Sequence, residues 1–108
     1  MYREAMLTQL GYVPNEALLK QLKRIESNTL GYEKIRKHIM DLHVTLKVDN
    51  SFVAMSNTND CFKIKVGLVS PEVAQEAHEK IQHFSDKFKV EVNKLDNKET
   101  YYIVGFNN

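Results

Sequence analysis

A histidine and a threonine at the start of a predicted strand are the residues whose types and spacing could do chemistry. His43 precedes Thr45 by two positions in the stretch His43-Val44-Thr45-Leu46. Because side chains two apart on a strand point to the same face, the pair would share one surface. There a histidine can act as general acid or base while a hydroxyl holds a phosphate oxygen. His43 and Thr45 are therefore candidate catalytic residues that would act on a phosphate group.

This short string resembles the His-x-Thr motif of the 2H phosphoesterase family. The resemblance implies a phosphodiesterase-type hydrolase around His43 and Thr45, with a bilobal fold in which each half contributes one copy of the motif. The other candidate copy, His83-Phe84-Ser85, lies on a predicted helix, where residues two apart point about 200° apart around the axis. The chain thus matches the family over four residues and departs from it at the second motif, so the hydrolase ranks as the second alternative.

Residues that could ligate a metal are present but dispersed. Glu79 and His83 have i, i+4 spacing on one predicted helix, whereas His78 and His83 diverge by about 140° around its axis. Cys61 and His43, on neighbouring predicted strands, could supply further ligands. Nothing in the spacing assembles a ligand set, so we predict no metal site and no cofactor. The four glycines of the chain are isolated and form no phosphate-binding loop.

Basic residues gather on two predicted helices within residues 14–42, which are followed by a predicted hairpin. This order resembles a winged-helix DNA-binding module, in which one helix enters the major groove and the hairpin contacts phosphates. The candidate nucleic-acid contacts are Lys20, Lys23, Arg24, Lys34, Arg36, Lys37 and His38. The alternative is that these side chains form an ordinary solvated helix exterior, and it stays open at this point.

Three helices are expected in the first third of the chain. Residues 2–10 are helix formers, and Gly11 follows where a helix end favours left-handed geometry. A second helix is predicted to start at residues 14–16, where proline would occupy its first turn. The third is predicted to start near Leu30 or Gly31 and to carry its apolar residues at helical spacing.

In the remainder of the chain, apolar and polar residues alternate with the period of a strand, except over one predicted helix. The predicted strands are 43–48, 52–56, 61–66, 88–92 and 101–106. In the third of these, Lys63 and Lys65 lie opposite the apolar face. Ser70-Pro71-Glu72 predicts the start of a helix whose apolar stripe lies on the sheet. The predicted fold is therefore α+β, with N-terminal helices followed by an antiparallel sheet in β-β-β-α-β-β order and a helix packed on the sheet.

Composition limits both the number of domains and the kinds of partner that we expect. With 108 residues, of which 43% are hydrophobic and 27% charged, we expect one domain over 1–108, comprising a helical part (1–42) and a sheet-plus-helix part (43–108). The formal net charge of +1 gives no electrostatic footprint for nucleic acid or membrane at the level of the whole chain. We find no secretory or membrane-spanning pattern and expect a cytoplasmic protein with no membrane partner.

Elimination of these chemistries leaves a small, non-enzymatic binding or regulatory module that acts through protein–protein contacts. Its partner would be another protein or a second copy of the chain, with nucleic-acid binding as the first alternative. Aromatic residues fall on both faces of the last predicted strand, and the N-terminal helix could pack on another chain. The predicted interface residues are Tyr2, Met6, Leu10, Tyr101, Tyr102 and Phe106.

Overall fold

A computed structural model of the protein describes residues 2–46, 51–67, 70–96 and 98–107. Within these ranges four helices and four strands follow one another along the chain. They are α1 (Tyr2–Gln9), α2 (Glu16–Asn28), α3 (Tyr32–Thr45), β1 (Ser51–Met55), β2 (Phe62–Val66), α4 (Pro71–Phe88), β3 (Val90–Lys94) and β4 (Thr100–Phe106).

Two helices begin at side chains that accept hydrogen bonds from their first turn. The Ser70 hydroxyl accepts from the Val73 N–H at 3.3 Å, so the start predicted for α4 is confirmed. In α2 the Asn15 side chain caps the helix by accepting from the Leu18 N–H at 2.8 Å. Pro14 therefore precedes the cap, and its predicted place in the first turn is wrong.

The predicted strand over residues 43–48 is wrong in its first part, because α3 continues through Thr45. Buried side chains recur along this segment at the spacing of one helix face: Ile35, Ile39, Leu42 and Leu46. Val44, which a strand would place beside Leu46, lies away from this face and is 53% exposed. The Leu46 N–H donates to the Leu42 carbonyl at 2.7 Å and closes the last turn. Residues 47–50, which hold the end of that predicted strand and its turn, lie outside the described residues.

The four strands form one antiparallel sheet in the order β1-β2-β4-β3. Val53 of β1 lies opposite Ile64 of β2, which in turn lies opposite Tyr101 of β4. α4 follows the β1–β2 hairpin, packs on the sheet and leads into the β3–β4 hairpin. The predicted α+β class and the antiparallel sheet with a packed helix are confirmed.

One apolar cluster joins the helices to one face of the sheet, which we call the inner face. Alternate strand residues enter it, as the period of two requires: Val53, Met55, Phe62, Ile64, Val66, Val90, Tyr101 and Ile103. Leu22 and Ile25 of α2 and Ala77, Ile81 and Phe84 of α4 complete it from the helical side. Full burial of one such large apolar side chain is worth about 1.5–3 kcal/mol, so this cluster holds the two layers together.

The chain between α2 and α3 is fastened directly to the end of β4. Leu30 forms a parallel bridge with Gly105, and its carbonyl accepts the Phe106 N–H at 2.7 Å. Gly105 has φ +154, and a Cβ at this position would lie 2.7 Å from the Leu30 carbonyl oxygen. Only glycine allows the two backbones to approach this closely.

Side chains from the helical layer block the free edge of β1. The Met55 N–H donates to the Tyr12 hydroxyl at 3.1 Å, and the Val53 N–H donates to Nδ1 of His43 at 3.4 Å. Since Nδ1 accepts, the ring proton lies on Nε2, which donates to the Gln9 carbonyl at 3.1 Å. These contacts occupy outward N–H groups that an exposed edge strand would offer to another chain.

Candidate functional site

The sheet face opposite the helices, here called the outer face, carries alternate residues of the same strands. On β2 these are Lys63 and Lys65, whose cross-strand neighbours on β4 are Tyr102 and Thr100. Phe52 of β1 lies opposite Lys65 and is 41% exposed. A row of lysines on a central strand therefore has an aromatic residue on each side.

A concave site of about 780 Å³ lies over β2 and β4 on this face. We call it the lysine trough, and the described residues that line it with side chains capable of binding an anion include Lys63, Lys65, Lys98, Thr58, Thr100 and Tyr102. Glu99 is the one acidic residue among those described residues that line it. None of the three lysines forms an ion pair with any residue of the described ranges. The trough thus combines a net positive charge with several hydroxyl groups.

The loop after β1 forms one wall of the trough and is held from both sides. The Ser56 hydroxyl accepts from the N–H groups of Thr58 and Asn59 at 3.2 and 3.3 Å. The Thr58 hydroxyl lies 2.8 Å from the Tyr102 hydroxyl. From the helical side, Gln21 of α2 donates to the Ser56 carbonyl at 3.0 Å. The loop is therefore fixed between α2 and β4.

The turn between β3 and β4 forms the opposite wall. Its backbone is tied to β2, because the Val66 N–H donates to the Glu99 carbonyl at 2.8 Å. The Leu95 N–H donates to the Thr100 carbonyl at 2.9 Å and closes the hairpin. The loop after β1 is thus anchored through side-chain hydrogen bonds and the β3–β4 turn through backbone hydrogen bonds, so the trough is preformed.

The described side chains of the trough can bind an anion. Lysine ammonium groups are compact charges that suit phosphate oxygens, and the hydroxyl groups add neutral hydrogen bonds. A hydrogen bond from Thr58, and a second from Ser56, lower the pKa of Tyr102. No histidine, cysteine or aspartate is among the described residues that line it. The described lining of the trough therefore offers recognition of an anion by positive charge and by hydroxyl hydrogen bonds.

Most of the basic residues predicted for a nucleic-acid surface on the helices have partners within the chain. Arg24 pairs with Asp60 at 3.5 Å, Lys20 with Glu16 at 3.6 Å and Arg36 with Glu33 at 3.7 Å. Lys34 and His38 contact aromatic rings, at 4.9 Å from the centroid of Phe106 and 3.9 Å from that of Phe88 respectively. Lys23 and Lys37 are exposed on different helices. Nucleic-acid binding through these helices stays a prediction.

His43 and Thr45 do not share a strand face, because both lie in the last turns of α3. Residues two apart on a helix diverge by about 200°, which separates the two side chains. The Thr45 hydroxyl donates to the Asp41 carbonyl at 2.8 Å, a local helix contact. Both ring nitrogens of His43 are engaged, Nδ1 by the Val53 N–H of β1 and Nε2 by the Gln9 carbonyl of α1. The placement predicted for a catalytic pair is therefore wrong.

The scattered candidate metal ligands do not meet. Among the described residues, no group of three or more histidine, cysteine, aspartate or glutamate side chains could hold a metal ion. His78 instead contacts the Tyr101 hydroxyl at 3.0 Å. Burial, and next the charge of Asp60, raise the pKa of the Cys61 thiol, which disfavours a reactive thiolate.

A second concave site of about 530 Å³ lies between α3 and α4. Leu42, Leu46 and Phe84 of the core form its apolar floor. Its rim carries both signs of charge, with Asp41, Glu76 and Glu79 against Lys80 and Lys87. Because these charges offset one another, the groove would attract a charged ligand less strongly than the lysine trough.

The residues predicted for a partner interface are divided between core and surface. Met6 and Tyr101 are 4% and 2% exposed and belong to the chain's own apolar cluster. Leu10 and Phe106 are half-buried against the same cluster. Tyr2 is 39% exposed, and Arg36 lies 4.3 Å from its ring centroid. Tyr102 lines the trough. The partner interface itself stays a prediction.

Sequence reasoning missed the trough, although one of its signals is visible in the sequence. The alternation of Lys63 and Lys65 with apolar residues indicates a lysine-bearing strand face. The neighbourhood of Lys63 and Tyr102 depends on the pairing of β2 with β4, which are separated along the chain by α4 and β3. No local pattern specifies that pairing.

No helix of the described residues combines the length and the apolar character needed to cross a membrane. No protein-family model matches the chain, and comparison with curated proteins and with solved structures finds no match.

Proposed function

We propose that this protein is a non-enzymatic binding module that holds a phosphate-bearing ligand in the lysine trough. The observation that carries the proposal is the convergence of Lys63, Lys65 and Lys98 on one preformed concavity, where none is paired with a described carboxylate. A volume of about 780 Å³ lies within the range of roughly 300–1,000 Å³ that small-molecule sites occupy.

The charges around the trough favour an anion over a neutral or cationic ligand. In the described part of the lining, three ammonium groups face a single carboxylate, that of Glu99. Thr58, Thr100 and Tyr102 supply hydroxyl groups that can donate to the remaining oxygens of a phosphate. The nearby loop walls are already hydrogen-bonded, so little ordering entropy opposes binding.

Calorimetric titration with inorganic tripolyphosphate at low salt tests the proposal. We expect the double variant Lys63→Ala, Lys65→Ala to bind roughly tenfold more weakly, because each exposed charge contact contributes up to about 1 kcal/mol of binding free energy. The matched control is Lys23→Ala with Lys37→Ala, which removes the same charge from exposed positions of α2 and α3. Equal loss of affinity in both double variants would show that only the total charge matters, and the proposed site would be wrong.

A further inference from the structure

Resting on the proposed function, we infer that the ligand of the lysine trough is single-stranded nucleic acid. Lys63 and Lys65 are two positions apart on β2, which separates their Cα atoms by about 7 Å on one face of the sheet. This spacing is comparable with the separation of successive phosphates on an extended single strand. A compact ligand with one phosphate would not need two lysines spaced in this way.

Two aromatic side chains flank the lysine row and supply surfaces on which bases stack. Phe52 of β1 is the cross-strand neighbour of Lys65, and Tyr102 of β4 is that of Lys63. With strands about 4.8 Å apart and the two residues offset by two positions along β2, their Cα atoms lie on either side of β2, roughly 12 Å from each other. Base stacking on aromatic rings beside a positively charged groove is the usual way in which proteins hold single strands.

The form of the outer face favours a single strand over a duplex. In an ordinary duplex the bases are stacked on one another, so Phe52 and Tyr102 could not contact their faces. The described residues place no helix on this face that could enter a major groove. A single strand can lay its phosphates on Lys63 and Lys65 and turn its bases toward the two rings.

Fluorescence anisotropy with 5′-labelled oligothymidylate and oligouridylate of twelve nucleotides tests the inference. A twelve-base-pair duplex and heparin serve as competitors. With three lysines engaged, we expect a slope of log affinity against log salt concentration of about −2, at roughly −0.7 for each neutralised phosphate. The Lys63→Ala, Lys65→Ala variant is expected to reduce that slope to about −0.7.

The aromatic contribution separates a single-strand site from a general anion site. Phe52→Leu and Tyr102→Leu are each expected to weaken binding about fivefold to a hundredfold through loss of stacking. Phe52→Tyr keeps the ring and is expected to retain affinity, whereas Tyr102→Phe keeps the ring but loses one hydroxyl and is expected to weaken binding less than Tyr102→Leu does. Circular dichroism verifies that each variant is folded. If a leucine variant does not fold, the variants Phe52→Tyr and Tyr102→Phe still test the site.

The outcomes distinguish the two proposals. Tripolyphosphate binding combined with equal affinity for duplex and heparin, and no effect of the leucine variants, would overturn the single-strand inference and leave the anion site standing. Loss of oligonucleotide binding through Lys34→Ala with Lys37→Ala, in place of the trough variants, would also overturn it and locate the surface on the helices. Binding of none of these anions would refute both proposals.

Discussion

Replacement of Gly105 by alanine tests how the helical layer is fastened to the sheet. A Cβ at Gly105 would lie 2.7 Å from the oxygen, 2.8 Å from the nitrogen and 2.9 Å from the Cβ of Leu30. Two of these three atoms are backbone, so the close contact cannot be relieved by rotation of a side chain. The backbone at Leu30 or at Gly105 must move, which also strains the hydrogen bond from the Phe106 N–H to the Leu30 carbonyl.

The expected cost has two parts. Overpacking in a close contact costs about 1–3 kcal/mol, and an alanine at positive φ costs about another 1–3 kcal/mol. We therefore expect Gly105→Ala to lower the free energy of unfolding by about 3 kcal/mol or more. For a chain of this size that corresponds to a fall in Tm of roughly 12 °C or more.

Gly11→Ala is the matched control. Gly11 also has positive φ, at +96, but a Cβ there would have nothing within 4 Å. The control therefore measures the conformational strain alone, expected at about 1–2 kcal/mol. Urea denaturation followed by circular dichroism gives both values. If Gly105→Ala destabilises the protein no more than Gly11→Ala, the close approach of Leu30 to β4 is refuted.

Three further predictions concern the core and the edge of the sheet. Tyr12→Phe removes the hydroxyl that accepts the Met55 N–H and should lower the free energy of unfolding in urea by about 1 kcal/mol. Tyr102→Phe removes a hydroxyl at the surface and should lower that free energy little. Burial, and next the charge of Glu26, raise the pKa of Tyr32, so its neutral form is favoured in the fold. The stabilisation that comes from keeping Tyr32 protonated is complete below a pH of about 10. As the pH rises further it is lost, at no more than about 1.4 kcal/mol per pH unit. Tyr32→Phe should therefore flatten the decline in the free energy of unfolding that denaturation measures between pH 9 and 12. Cys61 should react with a thiol reagent at pH 8 far more slowly in the native protein than in urea, and equal rates would contradict its burial.

Local patterns predicted the elements of this fold wherever the pattern had one interpretation. Ser70 and Pro71 marked the start of α4, and the alternation in β2 identified its buried face. The stretch 42–46 had two interpretations, since Leu42 and Leu46 fit a helix face while Val44 and Leu46 fit a strand. The helix prevails because Leu42 and Leu46 continue the stripe that Ile35 and Ile39 begin.

The site was less accessible to sequence reasoning than the fold. Basic residues on α2 and α3 are conspicuous in the sequence, but pairing with Glu16, Asp60 and Glu33 reduces their availability. The lysines of β2 gain their significance from non-local neighbours, because β4 brings Tyr102 beside Lys63. Strand order and the position of the loop over the outer face are tertiary properties, so single residue patterns did not identify the trough.

The most direct measurement of the central claim is the mapping of amide chemical-shift changes in ¹⁵N-labelled protein on titration with unlabelled oligothymidylate. Binding in the lysine trough predicts the largest changes at Lys63, Lys65, Tyr102 and Thr58, with small changes along α2 and α3. Changes concentrated on α2 and α3, or none at all at low salt, would contradict the account.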